Sequence, residues 1–175
     1  DSPDIKGATS VLARATVPLA EKGYYVFPVA VVDEMFRQNG LTGGHDIQSA
    51  PIRKVREIFG ADAILYLHVE EYGTSYQILS SDTRVSVSGK LVDLKTGQTL
   101  WEGRAKHVDN GSNGGGGLIA SLVSAVANQI IGSATDRGYQ VAATADAQLF
   151  YYGDRGGVLM GPYHPDYQKD YQNDR

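Results

Sequence analysis

The residues of this chain that could do chemistry are few. His68 and Glu70 lie two positions apart in an alternating run, so they share one face of a strand. His107, on a later strand, could bring a second imidazole near them. Two ring nitrogens and a carboxylate are a plausible metal set, although the spacing matches none of the diagnostic ligand patterns. Glu70-Glu71 invites a general-acid pair, but neighbours on a regular strand point to opposite faces, which is expected to prevent them from sharing a substrate atom. Gly111-Ser112-Asn113-Gly114-Gly115-Gly116-Gly117 opens onto a predicted helix at Leu118, and free amides at a helix start attract anions. Leu118-Ile119 stands where a phosphate loop would carry Lys and Ser or Thr, so this stretch reads as a connection. Ser80-Ser81-Asp82 reads as a turn, and no nucleophile elbow surrounds any serine. No catalytic, metal-binding or cofactor-binding residue is therefore assigned. Gly161-Pro162-Tyr163-His164-Pro165-Asp166-Tyr167 has the amphipathic rings common at recognition surfaces, and Tyr163, His164, Pro165 and Tyr167 are the candidate protein-binding residues.

The element best specified by the sequence is the hairpin from Arg84 to Asn110. Lys95-Thr96 fit the centre of a type I turn and Gly97 the left-handed position after it. Pairing Leu94 with Gln98 sets Val92 opposite Leu100, Leu91 opposite Trp101, Lys90 opposite Glu102, Gly89 opposite Gly103, Val87 opposite Ala105 and Val85 opposite His107. Val85, Val87, Leu91, Trp101 and Ala105 then form a dry face; Ser86, Ser88, Lys90, Glu102, Arg104 and Lys106 form a wet one. Val92, Leu94 and Leu100 fall on the wet side near the turn and need cover of their own. The facing glycines leave a notch on the dry face, open to close approach by a helix.

Upstream, Asp4 caps a helix over about residues 5 to 22 with Ala8, Val11, Leu12, Ala15 and Leu19 as its stripe, and Pro18 inside it is expected to kink it near Arg14. Tyr24 to Phe27 reads as a strand. Pro28 opens a helix with Val31, Val32, Met35 and Phe36 inward; residues 41 to 49 read as loop; Pro51 opens another with Ile52, Val55, Ile58 and Phe59 inward, closed by Gly60. A strand follows over Ala63 to Tyr72 and another over Ser75 to Leu79. The predicted helix from Leu118, striped by Ile119, Leu122, Val123, Val126 and Ile130, is the expected cover for Trp101 and the notch. A last helical piece over about 139 to 150 carries Val141, Ala145 and Leu149, with Gly138 breaking the chain before it. The pattern predicts an α+β two-layer sandwich: a small mixed sheet with a C-terminal-half antiparallel hairpin and helices packed on one face.

At 175 residues the chain is long enough for one core of good size, and 42% hydrophobic content fits a globular protein. A net charge of -4 without a basic cluster argues against nucleic acid as partner. With no cysteine, disulfides and thiolate sites are excluded within these residues. No run approaches the length of a membrane span, and Asp1-Ser2-Pro3-Asp4 opens abruptly, as if residues were missing ahead of it. Residues 1–150 are read as one domain. Residues 151–175, which hold five of the eleven tyrosines and two of the six prolines, are read as a tail.

Asp1-Ser2-Pro3-Asp4 before a helix, Gly23-Tyr24-Tyr25-Val26, Gly60-Ala61-Asp62-Ala63 and Val92-Asp93-Leu94-Lys95-Thr96-Gly97-Gln98-Thr99-Leu100-Trp101 resemble the pattern of the N-terminal domain of TolB and of CsgG, the curli-secretion lipoprotein. The chain as a whole, including Phe27-Pro28-Val29-Ala30-Val31-Val32 and Gly161-Pro162-Tyr163-His164-Pro165, is similar to a family of outer-membrane lipoproteins of Gram-negative bacteria with no assigned function. The resemblance implies a secretion signal, a lipidated Cys and a first strand ahead of Asp1. Without that strand one sheet edge would stand open to another chain. It further implies a lipid-anchored accessory protein on the periplasmic side of the outer membrane, or at the cell surface. Such a protein would work as a homodimer or larger assembly with envelope transport or secretion proteins, touching membrane only through its anchor. A lipoprotein activator of a cell-wall synthase is the alternative among binding modules; a small-ligand carrier or an enzyme would require a pocket.

Overall fold

A computed structural model describes residues 5–77, 80–109, 137–153 and 156–167. In chain order the elements are α1 (Ile5–Glu21), α2 (Val29–Gln38), α3 (Gly44–Ser49), α4 (Ile52–Phe59), β1 (Ala63–Gln77), β2 (Ser80–Asp93), β3 (Thr99–Asp109) and α5 (Arg137–Ala147), the last continuing into a π-helical turn, Gln148–Tyr152. The strands form an antiparallel sheet in the order β1-β2-β3. The architecture is α+β, as the alternation of helical and strand periods requires.

The hairpin register holds over most of its length: Leu91 faces Trp101, Lys90 Glu102, Gly89 Gly103, Val87 Ala105 and Val85 His107. It departs at the turn. Val92 pairs with Thr99, not Leu100, across an irregularity after Leu91, and Asp93 closes the loop by donating its amide to Gln98 O at 2.9 Å. Leu94 is thus a turn residue. The cause is the Asp93 carboxylate, whose Oδ1 accepts from the amides of Lys95 (2.8 Å) and Thr96 (2.6 Å) and from the Thr96 hydroxyl (2.9 Å). That side-chain turn competes with one more rung of the ladder and wins. The Thr96 donors, backbone first, hold the Asp93 carboxyl below its usual range. Gly97, at φ +76, supplies the left-handed residue as expected.

Freed from the strand, Leu94 turns into a small cluster with Phe36, Ala50 and Val55, bordered by Ile47, Ile52, Phe59 and Ile64. This is separate cover for Leu94, supplied by residues of α2 and α4 and by the segment between them. Of Val92, Leu94 and Leu100, Leu100 alone stays exposed. The stretch 41–49, expected as loop, contains α3, whose Ile47 joins that cluster; burial of one apolar side chain overrides a glycine-rich, polar composition.

The main core lies on the dry face of the sheet. Val11, Ala15 and Leu19 of α1, spaced four apart, meet Val141, Ala142, Ala145 and Leu149 of α5 and its extension, over Val69, Val85, Val87, Leu91, Trp101 and Ala105. A fully buried Val, Leu or Phe contributes about 1.5–3 kcal/mol, so this single layer dominates the stability. Leu12, placed on the stripe by periodicity, is exposed. The helix before Tyr151 runs straight through Gly138 from Arg137, so that glycine does not break the chain.

Further expectations fail for identifiable reasons. Tyr24 to Phe27 is not a strand, because no neighbouring strand pairs with it among the described residues. Ala63–Gln77 is one uninterrupted strand that pairs with β2 down to Gln77 opposite Ser80, which puts Ser80, Ser81 and Asp82 in β2 instead of a turn. Every described strand pair is antiparallel, so the described sheet is not mixed. The notch at Gly89 and Gly103 is filled by the indole of Trp101 itself: a Cβ at Gly103 would stand 2.4 Å from its Cζ2, and one at Gly89 2.9 Å from its Cζ3. Phe150 stacks on the indole at 6.0 Å, and Nε1 donates to Gly156 O at 3.1 Å. The expected cover from the helix at Leu118, like the phosphate question at Gly111–Gly117, lies outside the described residues.

Candidate binding site

The tail-like sequence after Tyr151 folds back, and where it returns it builds a cleft against the end of α1. Gly23 makes this possible. At φ +82 it ends α1 with its amide on Ala20 O (2.9 Å) and that of Tyr24 on Leu19 O (3.1 Å), a left-handed cap that turns the chain across the helix end. The returning segment then docks through main-chain hydrogen bonds: Gly161 donates to Lys22 O at 2.7 Å and Tyr163 to Gly23 O at 3.0 Å. Only glycine fits at both sides of this crossing, since a Cβ on Gly23 would lie 2.3 Å from the His164 nitrogen and one on Gly161 2.5 Å from the Gly23 oxygen. Buried Val158 and the Tyr24 hydroxyl, which donates to Leu159 O at 3.0 Å, pin the approach.

The result is a cleft of about 470 Å³ lined by Glu21, Gly23, Tyr24, Tyr25, Tyr163, His164 and Pro165. Its two most prominent walls are Tyr163, 78% exposed, and Tyr25, 72% exposed. His164 is less accessible, and its Nδ1 accepts the Asp166 amide at 3.0 Å, which leaves the imidazole proton on Nε2. Tyr167 stands beyond the cleft, partly exposed, tied by its amide to His164 O. On the opposite side the Tyr151 hydroxyl donates to the Glu21 carboxylate, and the Lys22 ammonium sits 5.2 Å from the Tyr151 ring centre. Burial first, and then the Glu21 carboxylate, push the Tyr151 phenol far above its ordinary pKa, so it remains a donor at any physiological pH.

Of the residues singled out from sequence, Tyr163, His164 and Pro165 are therefore brought together in one cleft and Tyr167 lies beside it. Gly23 and Tyr25, which complete it, were legible only as a helix stop and a strand residue. Their role arises from a contact across more than a hundred residues of chain, and no local signal announces it.

The histidines and acids fare differently. His107 faces the covered side, its Nδ1 3.3 Å from Gln148 Nε2, whereas His68 lies on the open face beside Tyr66, Lys90, Glu102 and Arg104. The two imidazoles are separated by the sheet. No group of three His, Cys, Asp or Glu side chains among the described residues is placed to hold a metal. Glu70 and Glu71, by contrast, do share a face. The ladder steps from Val69–Val87 to Glu71–Ser86, leaving Glu70 as the extra residue of a bulge. Glu70 reaches Arg104 at 2.8 Å and Ser86 at 3.2 Å, while Glu71 reaches Lys106 at 2.9 Å. The rule of alternating faces fails there because a bulge resets it. With each carboxylate engaged by a cation, the pair reads as part of a charge ladder, completed by Lys90–Glu102 at 3.3 Å.

One buried pair is unlike the rest. Asp146 on α5 is 1% exposed with neither carboxylate oxygen hydrogen-bonded, and Arg14 on α1 is also buried. Burial drives the Asp146 pKa well up, and the Arg14 charge opposes that only in part. Neither residue lines the clefts at Tyr25 or at His68.

Comparison with known proteins gives a consistent picture. Residues 1–163 match the family model described as "Putative lipoprotein GNA1162-like". The chain is 52% identical over 162 residues to "Putative lipoprotein NMB1124/NMB1162" of Neisseria meningitidis serogroup B, covering 93% of this chain and 75% of that protein. It is similar to the crystal structure of the lipoprotein GNA1162 from Neisseria meningitidis, with a TM-score of 0.62 and 51% identity, covering 75% of this chain and 91% of that one. No described helix is long and apolar enough to cross a membrane.

Proposed function

This chain belongs to the GNA1162-like lipoprotein family, and from that premise we propose that it is a lipid-anchored accessory protein of the bacterial outer membrane, facing the periplasm, that acts by binding other proteins and by self-association. We infer that it works within an envelope transport or secretion assembly, the role that the motif resemblance to the TolB N-terminal domain and CsgG implies. Its task is adhesion and not turnover. The observation that carries the reading is the aromatic cleft: Tyr25 and Tyr163 stand exposed beside the glycine crossing. Exposed tyrosines favour association, because each offers a large amphipathic ring with only two side-chain torsions to order on binding.

Site-specific photo-crosslinking tests it. A photoreactive side chain at position 163 or 25 of the full-length protein in intact envelopes is expected to trap discrete protein adducts, and the same probe at Arg53, a solvated position on α4, to trap none. Adducts of equal intensity at all three positions would refute the cleft as the binding face. Light scattering on the purified protein tests self-association, for which a strict monomer across the accessible concentration range is the adverse result. Fractionation of cells expressing the full-length protein tests placement, and recovery in the soluble fraction would count against the anchor.

A further inference from the structure

We propose that the cleft between Tyr25 and Tyr163 is a cation-recognition site that seats an arginine side chain carried on an extended segment of a partner protein. The inference rests on the reading of this face as a protein-binding surface and adds the chemistry of what it reads.

Three observations point the same way. The walls are tyrosine rings, whose faces are electronegative and attract a guanidinium or ammonium group. Glu21 lines the same cleft, its carboxylate also accepting from the Tyr151 hydroxyl, and Asp166 follows the lining residue Pro165 in the chain with its carboxylate 4.0 Å from His164 Nδ1. The surroundings already attract a cation from the chain itself, since Lys22 lies over the Tyr151 ring beside Glu21. Lys22 itself is not among the residues that line the cleft.

Arginine fits better than lysine. Its planar fork stacks on a tyrosine face and donates in the ring plane at the same time, toward a carboxylate. A volume of about 470 Å³ is more than a guanidinium needs and leaves room for the flanking main chain of an extended segment. A second cavity, about 390 Å³ around His68 on the open sheet face, lacks this bias, because cations and anions there answer one another: Lys90 with Glu102 and Arg104 with Glu70.

The test is an NMR titration of the isotope-labelled protein with an acetylated, amidated Gly-Arg-Gly peptide, against the same peptide with citrulline, which keeps the shape and removes the charge. The arginine peptide is expected to shift Glu21, Tyr25 and Tyr163 saturably and to bind at least about 5-fold more tightly than the citrulline peptide. Tyr163→Ala and Tyr25→Ala should each weaken it about 2- to 5-fold, the range of an exposed cation–aromatic contact. Glu21→Gln should also weaken it and flatten its salt dependence. Tyr152→Ala, an exposed ring outside the cleft, should leave it unchanged. Equal affinity for the two peptides, shifts centred on Tyr66 and His68, or no saturable shift would each overturn the proposal. Photo-crosslinks at position 163 that persist alongside such a failure would leave protein binding standing and remove only the arginine. Loss of the crosslinks with arginine binding intact would do the reverse.

Discussion

The Trp101 notch yields the sharpest test of how this fold is held. Gly103→Ala places a methyl 2.4 Å from Cζ2 and 3.0 Å from Cη2 of the indole, distances that no real Cβ tolerates. The ring must move. Overpacking of a well-filled core costs about 1–3 kcal/mol. Displacement also weakens the stacking on Phe150, worth about 0.5–1.5 kcal/mol, and the bond from Nε1 to Gly156 O, worth a similar amount. Against this, replacing a strand glycine with alanine recovers about 0.4–1 kcal/mol of unfolded-state entropy. The net expectation is a loss of about 2–3 kcal/mol. With a urea m-value of about 1–3 kcal/mol/M, that moves the midpoint down by about 0.7–3 M. Trp101 is the one tryptophan of the chain, so its fluorescence reports unfolding directly and its near-ultraviolet dichroism reports whether the ring has been unseated. The clashing atoms belong to the outer ring of the indole, which phenylalanine at 101 would not place there. In a Trp101→Phe background, followed by far-ultraviolet dichroism, Gly103→Ala should therefore cost less than about 1 kcal/mol, a strong coupling of the two sites. Equal costs in the two backgrounds would refute the account of the notch as an indole seat.

Gly23→Ala combines an unfavourable left-handed backbone with a Cβ 2.3 Å from the His164 nitrogen, so it should release residues 161–167 from the end of α1; limited proteolysis would show cleavage there well before the core is cut. Asp146 holds its proton more tightly folded than unfolded, so its contribution favours folding below the unfolded pKa near 4 and is lost as pH rises toward the raised folded value. Asp146→Asn should therefore flatten the pH dependence of the urea midpoint on the neutral side, and a midpoint profile parallel to the parent's would contradict it. The double change Arg14→Met with Asp146→Leu is expected to be neutral or stabilising by up to about 4 kcal/mol, whereas Arg14→Met alone is destabilising, since it strips a buried acid of its nearest charge. Asp93 behaves oppositely: its pKa is lowered by the Thr96 and Lys95 donors, so its contribution is present above the unfolded pKa and lost as pH falls through the folded one. Asp93→Ala should lower the midpoint at neutral pH and converge with the parent in strong acid; a difference that persists there would mean the turn is held by something else.

What the sequence made legible was whatever rests on short-range periodicity. Val85, Val87, Leu91, Trp101 and Ala105 share a face because strands alternate; Val11, Ala15 and Leu19 share one because helices repeat. The failures share a cause as well. The Asp93 carboxylate bound its own turn and shortened the ladder by a rung; the bulge at Glu70 put two adjacent acids on one face; Leu94, once released, recruited α3 from a segment whose composition reads as loop. In each case a side chain found a better local or tertiary partner than the regular pattern offered. The site was half legible, since Tyr163, His164 and Pro165 announce themselves as exposed aromatics and turn formers, while Gly23 and Tyr25 do not.

The two glycine contacts show how the same physics serves stability in one place and recognition in the other. At Gly89 and Gly103 the missing side chains let a large ring sink into the sheet, and that ring is spent entirely on the core. At Gly23 and Gly161 the missing side chains let two backbones cross, and the rings beside them, Tyr25 and Tyr163, stay outside. A crossing secured by main-chain hydrogen bonds and by the Tyr24 hydroxyl does not call on the rings of Tyr25 and Tyr163, which remain exposed to a partner. If the cleft were only a by-product of the crossing, replacing Tyr25 and Tyr163 together by serine would leave stability unchanged and every association of the full-length protein unchanged too. The binding account predicts the first result and the opposite of the second, so one double variant, measured by urea midpoint and by crosslinking from a third cleft position such as Pro165, separates the two.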